Sequence, residues 1–144
     1  MKPKHFIEQL DEGRLLAAIA DAERKSSGEI RVYVSHRRRP EPLAYARKRF
    51  EQLGLTRTRE RNAVLIYLAP LSHAYAIVGD TGVHEKCGDQ FWEGLAARMK
   101  PLLSAGRYTD ALVAAIGVVG AVLARHFPRQ PDDRNELPNQ ILGD

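Results

Sequence analysis

Hydrophobic and polar positions repeat along this chain with two periods, and each switch between them marks a new element. Leu15, Leu16, Ile19 and Ala22 recur at helical spacing, with Arg14, Asp21, Arg24 and Lys25 elsewhere around the wheel. That spacing predicts an amphipathic helix from about Asp11 to Ser26. Ser26-Ser27-Gly28 ends it, since glycine suits the left-handed position after a helix. From Glu29 to Ser35 the period drops to two, with Ile30, Val32 and Val34 on one face and Glu29, Arg31 and Tyr33 on the other. This predicts a strand with one face well buried. After the loop His36-Arg37-Arg38-Arg39-Pro40, Pro42 suits the first turn of a second helix. Its stripe is Leu43, Ala46, Phe50 and Leu53, and Gly54 stops it. Ala63-Val64-Leu65-Ile66-Tyr67-Leu68 is apolar without a break, the mark of a central strand covered on both faces. Pro70-Leu71-Ser72-His73 turns the chain into Tyr75-Ala76-Ile77-Val78, which predicts an antiparallel hairpin. The first and second strands, joined through a helix, are expected to be parallel with a right-handed crossover.

The remainder reads as helical. After Gly79-Asp80-Thr81-Gly82 a short helix runs to Cys87. Asp89 is placed to N-cap a longer one whose Phe91, Leu95, Met99 and Leu102 share a face. Trp92, beside Phe91, reads as core packing. Gly106 closes this helix, and Thr109 or Asp110 starts the last. There Leu112, Ile116, Val119 and Leu123 are joined by Val113, Val118 and Val122, so the helix is expected to be buried on several sides. Gly117 and Gly120 would let a neighbouring element approach closely. The apolar run Ala111–Ala124 is 14 residues long, short of the roughly 20 that a membrane span needs. Asp110 and Arg125 fence it, and it reads as a core helix rather than a transmembrane segment. Pro128 terminates it. The rest is a polar tail with an apolar clip at Leu137 and Ile141–Leu142. The expectation is one α/β domain over 1–128, with three strands and five helices, and a tail over 129–144 docking on it.

Composition narrows the chemistry. A chain of 144 residues can bury a core without disulfides or structural metal. Cys87 is the single cysteine, which excludes an internal disulfide framework and any CxxC or Cys/His zinc pattern. Lys86 and His84 beside it would lower its pKa, whereas burial would raise it. No apolar segment follows the basic start Met1–Phe6, so no secretory signal is expected and a cytoplasmic location is. Between Arg31 and Arg61 ten Lys or Arg stand against Glu41, Glu51 and Glu60 alone, so this segment outweighs the chain's net +4. Arg37, Arg38, Arg39, Arg47, Arg57 and Arg59 are therefore candidates for binding an anion, an anionic membrane or an acidic protein partner. Nucleic acid is disfavoured, because only Tyr33 and Tyr45 are there to stack on bases and no nucleic-acid motif is visible. A solvated basic face is the plainer alternative.

The most chemical-looking place is the turn Asp80-Thr81-Gly82, at a strand end that leads into a helix, where ligands of open α/β sheets bind. Its carboxylate could hold a hard cation such as Ca²⁺ or Mg²⁺, helped by Glu85, Asp89 and, if its strand end comes close, Glu29. The alternative is that Asp80 caps the following helix. EF-hand spacing is absent. A phosphatase would need a nucleophile or two metals, yet there is no Cys-x5-Arg loop, Asp-x-Asp-x-Thr run or Gly-x-Ser-x-Gly elbow. His36, His73, His84 and His126 are scattered, and no catalytic residue is assigned.

Several landmarks, taken in order, carry a resemblance. Ala22-Glu23 and Gly28-Glu29-Ile30 are followed by Asn62-Ala63-Val64-Leu65-Ile66 and Gly79-Asp80-Thr81-Gly82-Val83. Then come Phe91-Trp92, Gly106-Arg107-Tyr108, His126-Phe127-Pro128 and Asn135-Glu136-Leu137-Pro138. Together they resemble the TPM domain, in its short bacterial form, over about residues 11–140. The resemblance implies a three-layer α/β/α sandwich around a small mixed sheet of about four strands. It also implies what has been attributed to some members, acid phosphatase activity and calcium binding. Other members are extracytoplasmic or thylakoid-lumen proteins tied to photosystem repair, and most have no assigned activity. The function expected here is a binding or interaction module with a divalent-cation site around Asp80. The alternatives are a metal-dependent phosphatase and an anion binder using the basic segment.

Overall fold

The computed structural model describes residues 10–130 and 141–143. Its elements run α1 (Glu12–Arg24), β1 (Glu29–Val34), α2 (Pro42–Gln52), β2 (Ala63–Ala69), β3 (Ala74–Gly79), α3 (Thr81–Cys87), α4 (Asp89–Ser104), α5 (Tyr108–His126) and β4 (Ile141–Gly143). Single 3-10 turns at Leu55–Arg57 and Pro70–Ser72 punctuate them. The sheet order is β3-β2-β1-β4. β1 is parallel to both β2 and β4, while β2 and β3 form the expected antiparallel hairpin.

Two apolar layers sandwich the sheet. On one face Ile30, Val32, Val34, Val64, Ile66 and Leu68 pack with Leu15 and Ile19 of α1, Leu95 and Met99 of α4, and Leu112, Ile116 and Leu123 of α5. On the other, Tyr33, Leu65 and Tyr67 pack with Ala46 and Phe50 of α2 and with Leu55. The result is an α/β/α sandwich around a mixed sheet.

Several local expectations change. All of β1 is buried, not one face alone, because Glu29 and Arg31 pair with each other and with Glu23 while Tyr33 packs into the layer that holds Ala46 and Phe50. There the Tyr33 and Tyr67 rings stack at a centroid distance of 5.4 Å. Asp89 is the first residue of α4 rather than its cap; Gly88, at φ +76°, occupies that position with no side-chain bond. The fourth strand is Ile141–Gly143, paired in parallel with Val32–Val34. Three residues are too few to show a period of two, so only the apolar pair Ile141-Leu142 hinted at it. The clip at Asn135–Pro138 lies outside the described residues.

The last helix is buried on one flank only. Ala111, Leu112, Ala115, Ile116, Val119, Gly120 and Leu123 face inward, against α1 and α4, while Ala114, Gly117 and Ala121 are exposed. Its 19 residues are long and apolar enough to cross a membrane by length and composition, and the inward flank builds the core. Its two glycines differ. A Cβ on Gly120 would lie 2.6 Å from the Ala22 Cβ, whereas one on Gly117 would meet nothing within 4 Å. Close approach therefore explains Gly120 alone. Gly117→Ala is expected to raise stability by about 0.5–1 kcal/mol through helix propensity. Urea denaturation checks this, and a loss of stability would show that the outward flank is packed in solution.

Candidate functional site

The turn after β3 is built as a clasp. The Asp80 N–H donates to the Ala63 carbonyl at 2.9 Å, extending the β2–β3 ladder by one rung. The Asp80 carboxylate Oδ1 accepts from the Thr81 N–H at 2.8 Å and so caps α3. Both oxygens also receive the Arg61 guanidinium, Nε to Oδ2 at 2.6 Å and Nη2 to Oδ1 at 2.8 Å. The Asp80 side chain is only 4% exposed against 46% for Arg61, so a largely buried charge is met by one reaching in from the surface. The hydrogen bond and charge of Asp80 hold the Arg61 pKa above its ordinary value. Arg61 has positive φ, 52°, and its carbonyl accepts from the Gly82 N–H at 2.8 Å.

The flanking glycines are explained by contact. A Cβ on Gly82 would sit 2.1 Å from the Glu60 carbonyl oxygen, and one on Gly79 would sit 2.3 Å from Cζ2 of Trp92. Asp80 is thus both cap and ion-pair partner. Asp80→Ala is expected to lose about 1 kcal/mol from the cap alone, plus what the stranded Arg61 costs. Asp80→Asn keeps a capping oxygen and is expected to lose less. Thermal melts of the two variants rank them, and equal losses would show that the cap contributes nothing.

The other expected cation ligands do not gather at Asp80. Glu85 and Asp89 are exposed beside it. Glu29 is not there: Asp80 bonds Ala63 from one side of β2, and Glu29 pairs with Ala63 from the other. Among the described residues no group of three or more His, Cys, Asp or Glu side chains is placed to hold a metal.

Glu29 belongs instead to a buried ionic cluster that the strand pattern concealed. Arg31 Nη1 donates to Glu23 Oε2 at 3.0 Å and Nη2 to Glu29 Oε2 at 3.2 Å. The three side chains are 2–7% exposed. Glu23 Oε2 also accepts the Ile30 N–H at 2.7 Å, standing in for a neighbouring strand where β4 does not reach. Glu23 Oε1 is buried without a hydrogen bond. The available signal was an acidic residue on the inward-facing helix stripe, seven positions before Ile30.

The basic residues spread along the α2 layer rather than forming one patch. Arg37, Arg38, Arg47, Arg57 and Arg59 are exposed, and Arg39 is half-buried. Arg39 lies over the Tyr45 ring, 4.2 Å from its centroid. Arg37–Arg39 follow the end of β1, whereas Arg57 and Arg59 precede the start of the parallel β2. The two groups are therefore about one strand length, roughly 20 Å, apart.

Beside the clasp, a groove of about 710 Å³ runs along the C-terminal half of β3. Leu43, Arg47, Phe50 and Glu51 of α2 form one wall. His84 and Glu85 of α3, with Asp89, Trp92 and Glu93 of α4, form the other, and Ile77, Val78 and Gly79 line the floor. Leu43, 43% exposed, is the one exposed large hydrophobic among the described residues. The Trp92 indole N–H donates to His84 Nδ1 at 3.2 Å, and His84 Nε2 lies 3.5 Å from the Asp89 carboxylate. Cys87, one turn beyond His84, is partly buried, and burial pushes its thiol pKa up.

The family model for the TPM domain matches residues 1–122. The chain belongs to the TPM domain family. This TPM domain is similar to the BA42 protein of the psychrophilic bacterium Bizionia argentinensis, at 34% identity over 92% of each chain and a TM-score of 0.85. It shares its fold with the N-terminal domain of cg2496 from Corynebacterium glutamicum, at 18% identity, a TM-score of 0.59, and coverage of 88% of this chain and 75% of that one. An N-terminal domain from P. gingivalis shares it too, at 21% identity, a TM-score of 0.58, and coverage of 82% and 76%. No curated protein matches the chain. Several landmarks of the resemblance have packing duties in this TPM domain. A Cβ on Gly28 would lie 2.7 Å from the Leu123 side chain, Asn62 Nδ2 donates to Ser27 Oγ at 2.9 Å, and Glu23, Asp80 and Gly82 act as described above.

Proposed function

We propose that this TPM domain is a binding module with no reaction of its own, and that the groove along β3 is its binding surface. The observation that carries the reading is Leu43. It lies exposed on the wall of a groove that also holds Phe50, Ile77 and Trp92, and exposed apolar area rimmed by polar groups marks interaction sites.

A hydrolase would need an activated nucleophile or a bound metal. His84 faces Trp92 and Asp89, and among the described residues no group of three or more His, Cys, Asp or Glu side chains is placed to hold a metal. The cation reading would require Arg61 to release Asp80 and the rim carboxylates Glu85 and Asp89 to converge. A Ca²⁺ or Mg²⁺ ion would otherwise meet only exposed carboxylates. Anion binding through the arginines would draw on two groups a strand length apart, which suits general attraction better than a built site.

Trp92, the single tryptophan, lines the groove and reports on it. The test is a titration with Ca²⁺, Mg²⁺, inorganic phosphate and short peptides, followed by calorimetry and by Trp92 emission with acrylamide quenching. A ligand that gives heat is expected to shift the emission and shield Trp92 from acrylamide. Saturable heat with Trp92 unchanged would place binding elsewhere. Steady turnover of p-nitrophenyl phosphate would overturn the statement that the domain has no reaction.

A further inference from the structure

β3 is the edge of the sheet, and its second half, Ile77, Val78 and Gly79, forms the groove floor. Its register and the Asp80–Ala63 rung turn the peptide groups of Ala74, Ala76 and Val78 toward β2. By the alternation of an antiparallel ladder, the N–H and C=O groups of Tyr75, Ile77 and Gly79 turn outward. Native edges are commonly blunted by lysine, proline, a bulge or a covering segment. Ala74–Gly79 carries no charge and no proline, and its pairing with β2 is unbroken. The walls on either side differ: α2 presents Leu43 alongside Arg47 and Glu51, with Phe50 buried beneath them, whereas three carboxylates, Glu85, Asp89 and Glu93, project from α3 and α4. These exposed carboxylates stand out in a chain of net charge +4.

We infer that the groove takes an extended basic peptide segment, which adds to β3 as a fifth strand. The inference rests on the groove being the binding surface. An added strand points alternate side chains to opposite walls. Apolar residues on one side would meet Leu43, and Lys or Arg on the other would meet Glu85, Asp89 and Glu93. The segment recognised therefore alternates basic and apolar residues over about five or six positions, the length of β3. A second copy of this chain fits less well, because its own β3 has no cation to offer the acidic wall.

The test uses the full chain and a capped Lys-Val-Lys-Val-Lys-Val peptide, with Glu-Val-Glu-Val-Glu-Val as its counterpart. Backbone amide shifts, hydrogen exchange and Trp92 emission are followed. The Lys peptide is expected to slow exchange at Tyr75, Ile77 and Gly79, to bind more weakly as salt rises, and to outcompete the Glu peptide. Glu85→Lys/Glu93→Lys, both exposed positions, is expected to weaken it by about tenfold or more. Ile77→Pro removes an N–H that β2 does not use and is expected to abolish the protection, since edge strands tolerate such prolines. The charge variant keeps the test open if Ile77→Pro fails to fold. Trp92 shielding without protection of the three amides would overturn strand addition and leave the groove reading standing. No response to the Lys peptide at millimolar concentration would overturn the inference, with the groove reading judged by the wider titration. Concentration-dependent protection of β3 without peptide would assign the edge to a second copy and overturn it as well.

Discussion

Glu23→Ala is expected to cost about 3–5 kcal/mol of folding stability, the range for removing one partner from a buried ion pair. Glu23 Oε2 serves two donors, Arg31 Nη1 and the Ile30 N–H, at a point on β1 below its pairing with β4. Alanine would leave a buried backbone donor without its acceptor and a 3% exposed guanidinium with one carboxylate fewer. Glu23→Gln separates the two roles, because its amide oxygen can still accept from Ile30 but carries no charge. It is expected to lose clearly less than Glu23→Ala. Urea denaturation gives both values, and a loss below about 1 kcal/mol for the alanine variant would show that the cluster adds nothing to stability.

Gly82→Ala carries the second large effect, about 3 kcal/mol or more. The added carbon would lie 2.1 Å from the Glu60 carbonyl oxygen and 2.6 Å from that of Arg61. Both obstacles are backbone atoms, so no side-chain rotation relieves them. The 60–61 segment must move, and it carries both the Arg61 guanidinium and the carbonyl that bonds the Gly82 N–H. Gly94→Ala is the control: it lies in a helix with nothing within 4 Å of the new carbon and is expected to be neutral or stabilising. Equal melting temperatures for Gly82→Ala and wild type would mean that the clasp opens freely in solution.

The elements long enough to show a period were legible in the sequence. β2 announced itself by an unbroken apolar run, and α1 by its stripe; the cap at Asp11, whose side chain accepts the Arg14 N–H at 3.0 Å, came from the structure. β1 was legible as a strand but not in its burial: Glu29 and Arg31 looked like a solvent face because the pairing of Arg31 with Glu23 of α1 depends on tertiary contact. β4 was too short to show alternation. At the candidate site, the capping role of Asp80 could be read from its place before Thr81. Its pairing with Arg61 could not, because residues 19 positions apart meet only once the loop folds over α3. The groove could not be read either: Leu43 and Trp92 looked like core positions, and which edge of the sheet is open follows from topology.

Calcium calorimetry on wild type and Asp80→Asn tests most directly whether the turn is a clasp beside a binding groove or a cation site in itself. Asn keeps a capping oxygen while removing the carboxylate, so the comparison is made between folded proteins. With Asp80 held by Arg61 at 2.6 and 2.8 Å, the two isotherms are expected to coincide, whatever heat the rim carboxylates give. Saturable binding in the wild type that disappears in Asp80→Asn, with the fold intact, would contradict the clasp and make Asp80 a ligand.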